Sequence, residues 1–164
     1  MSIHHVMNSQ WNRLNLLASR GNLSTVEWLK MMLNIGLDVL GMDMGIISHI
    51  VGEDYNVQFS TNPHFRGKHF NLTETYCDLT LQQSDLVHLA HISQTFNGQP
   101  IYDALHVESY IGIPLHVQGQ VYGTVCFVRA EPRRKDFTAD EVKFMVMLAQ
   151  AVANAFNEAS SAIA

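Results

Sequence analysis

The stretch YIGIPLHVQGQVYGTVCF, residues 110 to 127, constrains the fold more than any other part of the chain. Two apolar runs flank Gln118-Gly119, a two-residue turn signal, so the sequence predicts a β-hairpin from Tyr110 to Arg129. In a strand, neighbouring side chains point to opposite faces. Tyr110, Gly112 and Pro114 therefore share one face, and Ile111, Ile113 and Leu115 the other. The aliphatic set suits packing beneath helices. The Tyr, Gly and Pro set suits the wall of a pocket. Pro114 has no N–H to give to a ladder, which marks an edge or a bulge there. On the second strand Thr124, Cys126 and Val128 alternate with Val125 and Phe127, and periodicity assigns neither set to the pocket.

A second hairpin is predicted upstream, where MGIISHIVGEDYNVQFS turns at Gly52-Glu53-Asp54. Hairpins imply an antiparallel sheet, and long helices stand at both ends of the pattern. The first is GNLSTVEWLKMMLNIGLDVLG. Ser24 and Glu27 form a capping box, and Gly41 suits the left-handed position that ends a helix. Glu27, Lys30, Asn34 and Asp38 fall on one narrow polar stripe, so most of the circumference is apolar and must be buried on two faces. The second helix, FTADEVKFMVMLAQAVANAFNEA, has a capping box at Thr138 and Glu141 and a polar stripe of Lys143, Gln150, Asn154 and Asn157. Its apolar face is Val142, Met145, Leu148, Ala149, Val152 and Phe156, extended by Phe144, Met147, Ala151 and Ala155. Two such helices imply a bundle on one side of the sheet with surface left for a partner.

Between the hairpins, residues 61–70 read as loop and NLTETYCDLTLQQ as a short helix with Asn71 or Thr73 near its N-cap. DLVHLAHIS reads as a strand, and residues 94–109 as irregular. Residues 8–21 read as a short helix ending at Gly21. The expected organisation is an N-terminal helical extension over 1–23, one domain over 24–159 and a tail over 160–164. A chain of 164 residues suits one domain with a real core.

Composition excludes several functions. The formal net charge is −5 and no basic stripe exists, so nucleic acid is not an expected ligand. Arg133-Arg134-Lys135 is short, followed by Asp136, and reads as a solvated turn. Charged residues break every apolar stretch before it can span a membrane, and no signal pattern opens the chain, so the expectation is a cytoplasmic protein. Two cysteines make no disulfide framework. None of the nine histidines joins a Cys/His set with zinc spacing, so no metal site is expected. His88 and His91 diverge if they lie on a strand, and His64 and His69 flank Arg66 and Lys68. No nucleophile elbow or phosphate loop is present. Cys77 is the better placed thiol, in the first turn of a short helix, although Glu74 and Asp78 stand close by.

One resemblance ties these elements together. ESYIGIPLHVQGQVYGTVCF followed by PRRKDFTADEVKFMVMLAQAVANAF resembles the C-terminal half of a GAF domain. Ser109, Pro114, Leu115, Gly119, Gly123, Phe137, Thr138 and Glu141 occupy that family's pattern, and LTETYCDLTLQQ resembles a bacterial subgroup with a Thr-Tyr-Cys helix. The resemblance runs from about Ser24 to Glu158. It implies an α+β fold, with a central antiparallel sheet of about six strands and the terminal helices on one face. Short helices and a loop then cover a pocket on the other. It also implies a sensory or regulatory domain, not an enzyme, that binds a small, largely apolar molecule and signals as a homodimer through its terminal helices. The signal would pass by population shift from the loop 92–108. Candidate ligand-binding residues are Ser48, Phe59, Tyr76, Cys77, His91, Tyr102, Tyr110 and Thr124. The chain would stand alone or serve a kinase or cyclase output domain. Bilin-binding members carry Cys followed by His, and neither Cys77-Asp78 nor Cys126-Phe127 matches. The cyclic-nucleotide signature is also missing, and haem ligation would fall to His91 or His106. The rival reading is a thiol-based redox enzyme or sensor using Cys77, similar to the free methionine sulfoxide reductase on this fold. The cysteine-bearing loop of that enzyme has no counterpart here. A structural dimerisation module is a third alternative.

Overall fold

The computed structural model describes residues 24–96 and 106–163, with side chains to residue 158. The predicted extension over 1–23 lies outside the described residues. Helix α1 spans Thr25–Leu40 and both halves of its capping box are made, with Glu27 N–H donating to Ser24 Oγ and Ser24 N–H to the Glu27 carboxylate. Gly41 ends it at φ 63°, its N–H donating to Leu37 O. Strands β1 (Met44–Val51) and β2 (Asp54–Ser60) form the first hairpin, and β3 (His69–Asn71) pairs with the start of β2. A 3-10 turn over Leu72–Glu74, capped by Asn71, leads into α2 (Cys77–Gln83). After β4 (Val87–Leu89) and α3 (Ile92–Thr95), the second hairpin comprises β5 (Ser109–Val117) and β6 (Gln120–Arg129). Helix α4 (Ala139–Ile163) closes the chain.

The six strands form one antiparallel sheet in the order β3-β2-β1-β6-β5-β4. The fold is α+β, with α1 and α4 on one face and α2 and α3 toward the other. The β5–β6 turn sits where Gln118 and Gly119 place it, with both φ values positive at 53° and 77°, as a primed turn demands. Pro114 is accommodated because β4 stops opposite Gly112, and no other described strand pairs with the outer edge of β5 beyond that point.

Three local expectations are corrected. His69 and Phe70, read as loop, form with Asn71 an edge strand too short to show alternation. The strand over 85–93 contracts to three residues at the opposite edge, because Ile92 begins a helical turn whose N–H is already taken by Glu108 O. The last helix continues past Ala159 to Ile163.

The helix-side core is apolar. Leu29, Leu33, Ile47, Ile111, Leu115, Val125, Phe127, Phe144 and Leu148 are each at most 1% exposed. The Phe127 ring reaches into α1, where a Cβ on Gly36 would lie 2.2 Å from its Cζ. Glycine at that helical position, unfavourable by propensity, lets α1 sit close against the sheet. The start of α4 is pinned by the Thr138–Glu141 capping box and by Arg133, which pairs with Glu141 at 2.8 Å and stacks on Phe137 at 3.9 Å.

Candidate functional site

The face of the sheet turned away from α1 and α4 carries a different interior. Met44, Ile46, Val57, Leu72, Ile92, Val107 and Val128 supply its apolar part. Set among them are Ser48, Tyr55, Tyr76, Cys77, Thr80, Tyr110, Thr124 and Cys126, all buried. Alternation along each strand selects these residues. Ser48 on β1 pairs in register with Thr124 on β6, and Tyr110 on β5 with Val128. Helix α2 lays Cys77 and, one turn later, Thr80 onto the same surface.

Cys77 Sγ is the hub. Thr124 Oγ1 donates to it at 3.1 Å and Tyr110 OH at 3.3 Å, while Tyr55 OH stands 3.6 Å away. Each donor has support behind it. Thr124 Oγ1 lies 2.7 Å from Ser48 Oγ, which accepts the Thr124 N–H at 3.0 Å, and Tyr110 OH lies 2.7 Å from Thr80 Oγ1. Tyr55 OH is 3.8 Å from Cys126 Sγ. The Tyr110 ring folds back along its own strand over Gly112, where a Cβ would lie 2.0 Å from the hydroxyl oxygen. Only glycine two residues on lets the phenol reach Cys77 and Thr80 together.

Burial by itself pushes the Cys77 pKa up. The hydrogen bonds from Cys126, Thr124, Tyr110 and Tyr55 outweigh it together, and the thiol falls from 9.0 to about 7. These side-chain donors, more than the short helix, set that value. Tyr55 and Tyr110 are pushed well above 10.0, by burial first and then by the two thiols. Cys126 is raised by the hydrogen bond it gives Cys77, then by burial. Of these four groups, Cys77 is the one whose shift favours the charged form, and the shifts of Cys126 and both phenols favour the neutral form.

Five of the eight candidate residues, Ser48, Tyr76, Cys77, Tyr110 and Thr124, meet on this face; the Tyr76 and Tyr110 rings lie 5.8 Å apart. Tyr102 lies outside the described residues, as do residues 97–105 of the loop 92–108. Phe59 sits on the opposite face, packed toward Phe156 of α4. Its parity matches Tyr55 and Val57, but β1 pairs Ser48 with Val57 and the adjacent Ile47 with Phe59, so Gln58 is an extra residue in the ladder. That bulge reverses the alternation and turns Phe59 to the helices. His91 is separate too. It precedes α3, lies 3.7 Å from Glu108, and lines an open cleft of about 490 Å³ with His88, Gln94, Thr95 and Arg133–Asp136. Three members of the cluster were not among the candidates. Tyr55 shares parity with Val57, Thr80 lies one helical turn from Cys77, and Cys126 follows Thr124 by two, so each carried a periodic signal.

The family model of the GAF domain matches residues 26–156, most of the chain. The chain belongs to the GAF domain family. Its fold is similar to the GAF domain of an Acinetobacter phosphoenolpyruvate-protein phosphotransferase, at 22% identity and TM-score 0.72, over 99% of this chain and 98% of that one. It is similar to the phycoerythrobilin-bound GAF domain of a cyanobacterial phytochrome, at 16% identity and TM-score 0.73, over 98% and 100% of the two chains. A third likeness is free methionine-R-sulfoxide reductase from Neisseria meningitidis in complex with its substrate, at 14% identity and TM-score 0.66, over 86% and 82%. At these identities the likeness speaks for the fold alone. No curated protein matches the chain in sequence. Among the described residues, no helix of this GAF domain is long and apolar enough to cross a membrane.

Proposed function

We propose that this GAF domain is a sensory module of a bacterial cytoplasmic signalling protein, and that it senses without turning over a substrate. A small, largely apolar molecule with a few polar groups is received on the face formed by Ser48, Tyr76, Cys77, Tyr110 and Thr124. The response leaves through α1 and α4 in a homodimer, toward an output domain of the kinase or cyclase type. The observation that carries the reading is the buried polar cluster around Cys77. A sheet needs no hydroxyls and thiols on a buried face to be stable, and each must find a partner or weaken the fold. The apolar face opposite shows what packing alone selects. Met31 on α1 and Val146 and Met147 on α4 are 38%, 52% and 40% exposed, which supports a partner at the helices. The phytochrome and phosphotransferase GAF domains support the sensory role by analogy of fold.

The test is native mass spectrometry of protein purified from its own cytoplasm, set against the same sample denatured. A small-molecule mass carried on a dimer is expected. A bare monomer, with amide exchange in α1 and α4 unaltered by extract metabolites, would overturn the reading.

A further inference from the structure

The chain has two cysteines, and the fold brings both to one buried spot from α2 and β6. Cys77 is 2% exposed and Cys126 0%. One phenol, Tyr55 OH, stands 3.6 Å from the first sulfur and 3.8 Å from the second and so bridges the two thiols. Packing does not ask for this pair, since valine or alanine would fill either position. Two hydroxyls, Thr124 Oγ1 and Tyr110 OH, donate to Cys77 Sγ, a generous set for a sulfur that accepts weakly while it keeps its proton. Two lines of hydroxyls converge on Cys77 Sγ, one from Ser48 through Thr124 and one from Thr80 through Tyr110. Such a cage suits a sulfur that carries negative charge and is attacked or oxidised in place. The neighbouring thiol is the resolving group such chemistry needs.

We propose that Cys77 and Cys126 form a hydroperoxide-responsive dithiol that closes to an intramolecular disulfide. In the first step the Cys77 thiolate attacks one oxygen of a hydroperoxide. The O–O bond breaks, the S–O bond forms, and the departing alkoxide or hydroxide takes a proton to leave as alcohol or water. Sulfur is oxidised by two electrons to a sulfenic acid and the peroxide is reduced by the same two. In the second step the Cys126 sulfur attacks Cys77 sulfur. The S–S bond forms, the S–O bond breaks, and hydroxide leaves with the Cys126 proton as water. Two thiols and one hydroperoxide become one disulfide, one alcohol and one water. A low-molecular-weight dithiol restores the pair by exchange.

Closure removes the acceptor that holds Thr124 and Tyr110 and ties the start of α2 to β6. Tyr110 lies over Gly112 on β5, whose reverse face packs on α4, so the change has a short path to the helices. The inference rests on the sensory reading only for that last step.

The test takes the full chain, reduced, and adds hydrogen peroxide in small excess before free thiols are alkylated and mass is read under denaturing conditions. The expected product is a monomer lighter by two hydrogens, unalkylated at both cysteines, with a Cys77–Cys126 cross-linked peptide, reversed by dithiothreitol. Cys126→Ser should stop at a sulfenic acid on Cys77 that dimedone traps. Tyr110→Phe, which keeps both thiols and the ring, should slow oxidation about fivefold to tenfold by lowering the thiolate fraction. Two thiols still alkylated after treatment, or Cys77 overoxidised with Cys126 free, would overturn the dithiol, and wild-type peptide mapping decides this even if the serine variant fails to fold. A disulfide that forms without altering amide exchange in α1 and α4 leaves the dithiol standing and removes the sensory output.

Discussion

The two faces of the sheet solve different problems with the same strands. On the helix side, alternate residues of β1, β5 and β6 are Ile47, Ile111, Leu115, Val125 and Phe127, and the buried polar residue that shares their parity, Ser109, stands at the first position of β5. On the far side the intervening residues include Ser48, Tyr110 and Thr124, tied to Cys77 and Thr80 of α2 by hydrogen bonds, and Cys126, which meets Tyr55. The first face is held by volume and area, which tolerate swaps of similar size. The second is held by matched donors and acceptors, where removing one partner strands another. One face therefore stores stability, and the other stores a chemical state.

Breaking the helix side should have the largest effect. Phe127→Ala removes a fully buried ring and should cost about 3–5 kcal/mol, read from the urea midpoint at constant slope. Because a Cβ at Gly36 would meet that ring at 2.2 Å, Gly36→Ala should also destabilise, and far less in a Phe127→Leu background. Strict additivity of the two would show that the ring does not set the distance between α1 and the sheet.

On the far side smaller cuts suffice. Tyr110→Phe keeps the ring but leaves Thr80 Oγ1 and Cys77 Sγ without the phenol, and should cost about 1–3 kcal/mol. It should also raise the Cys77 pKa from about 7, seen as a later rise of thiolate absorbance with pH. Gly112→Ala attacks the same contact from the strand. Its Cβ would sit 2.0 Å from the phenol oxygen, so the ring must leave its seat and the two variants should share their thiolate phenotype. A normal titration in Gly112→Ala would mean that the phenol is not what holds the thiolate.

Much of this contrast could be read from the sequence. Strict alternation through YIGIPL assigned the aliphatic set to the helices and Tyr110 to the other face, and the capping boxes at Ser24 and Thr138 marked both helix starts within a residue. Phe59 escaped because a bulge carries no composition signal; it arises where the β1–β2 register slips at Gln58, a property of two strands and not of one. Tyr55 and Thr80 escaped for a related reason. Their importance depends on α2 folding onto the sheet, which sets a helical turn against β2 and β5. Short edge strands such as β3 and β4 are fixed by their neighbours, since three residues are too few to show a period.

The finest way to separate the faces is pH. The buried side chains of the helix-side cluster are all apolar, so they add no change of stability near neutrality. The far side does, and with a definite sign. Cys77 has a folded pKa of about 7, below its ordinary 9.0, so it favours the folded state fully above pH 9 and the benefit fades as pH falls through 7. Cys126, Tyr55 and Tyr110 are shifted the other way, so their share is present below their ordinary values and is lost as pH rises beyond them. Under reducing conditions the urea midpoint should therefore climb from pH 6 to a maximum near 8–9 and then decline, with a rise of about 1–2 kcal/mol. Cys77→Ser should flatten the rising limb, whereas a conservative helix-side change such as Ile111→Val should lower the whole curve without altering its shape. If Ile111→Val and Cys77→Ser displaced the curve alike, the thiolate would play no part in the fold's energetics, and the contrast between the faces would reduce to packing.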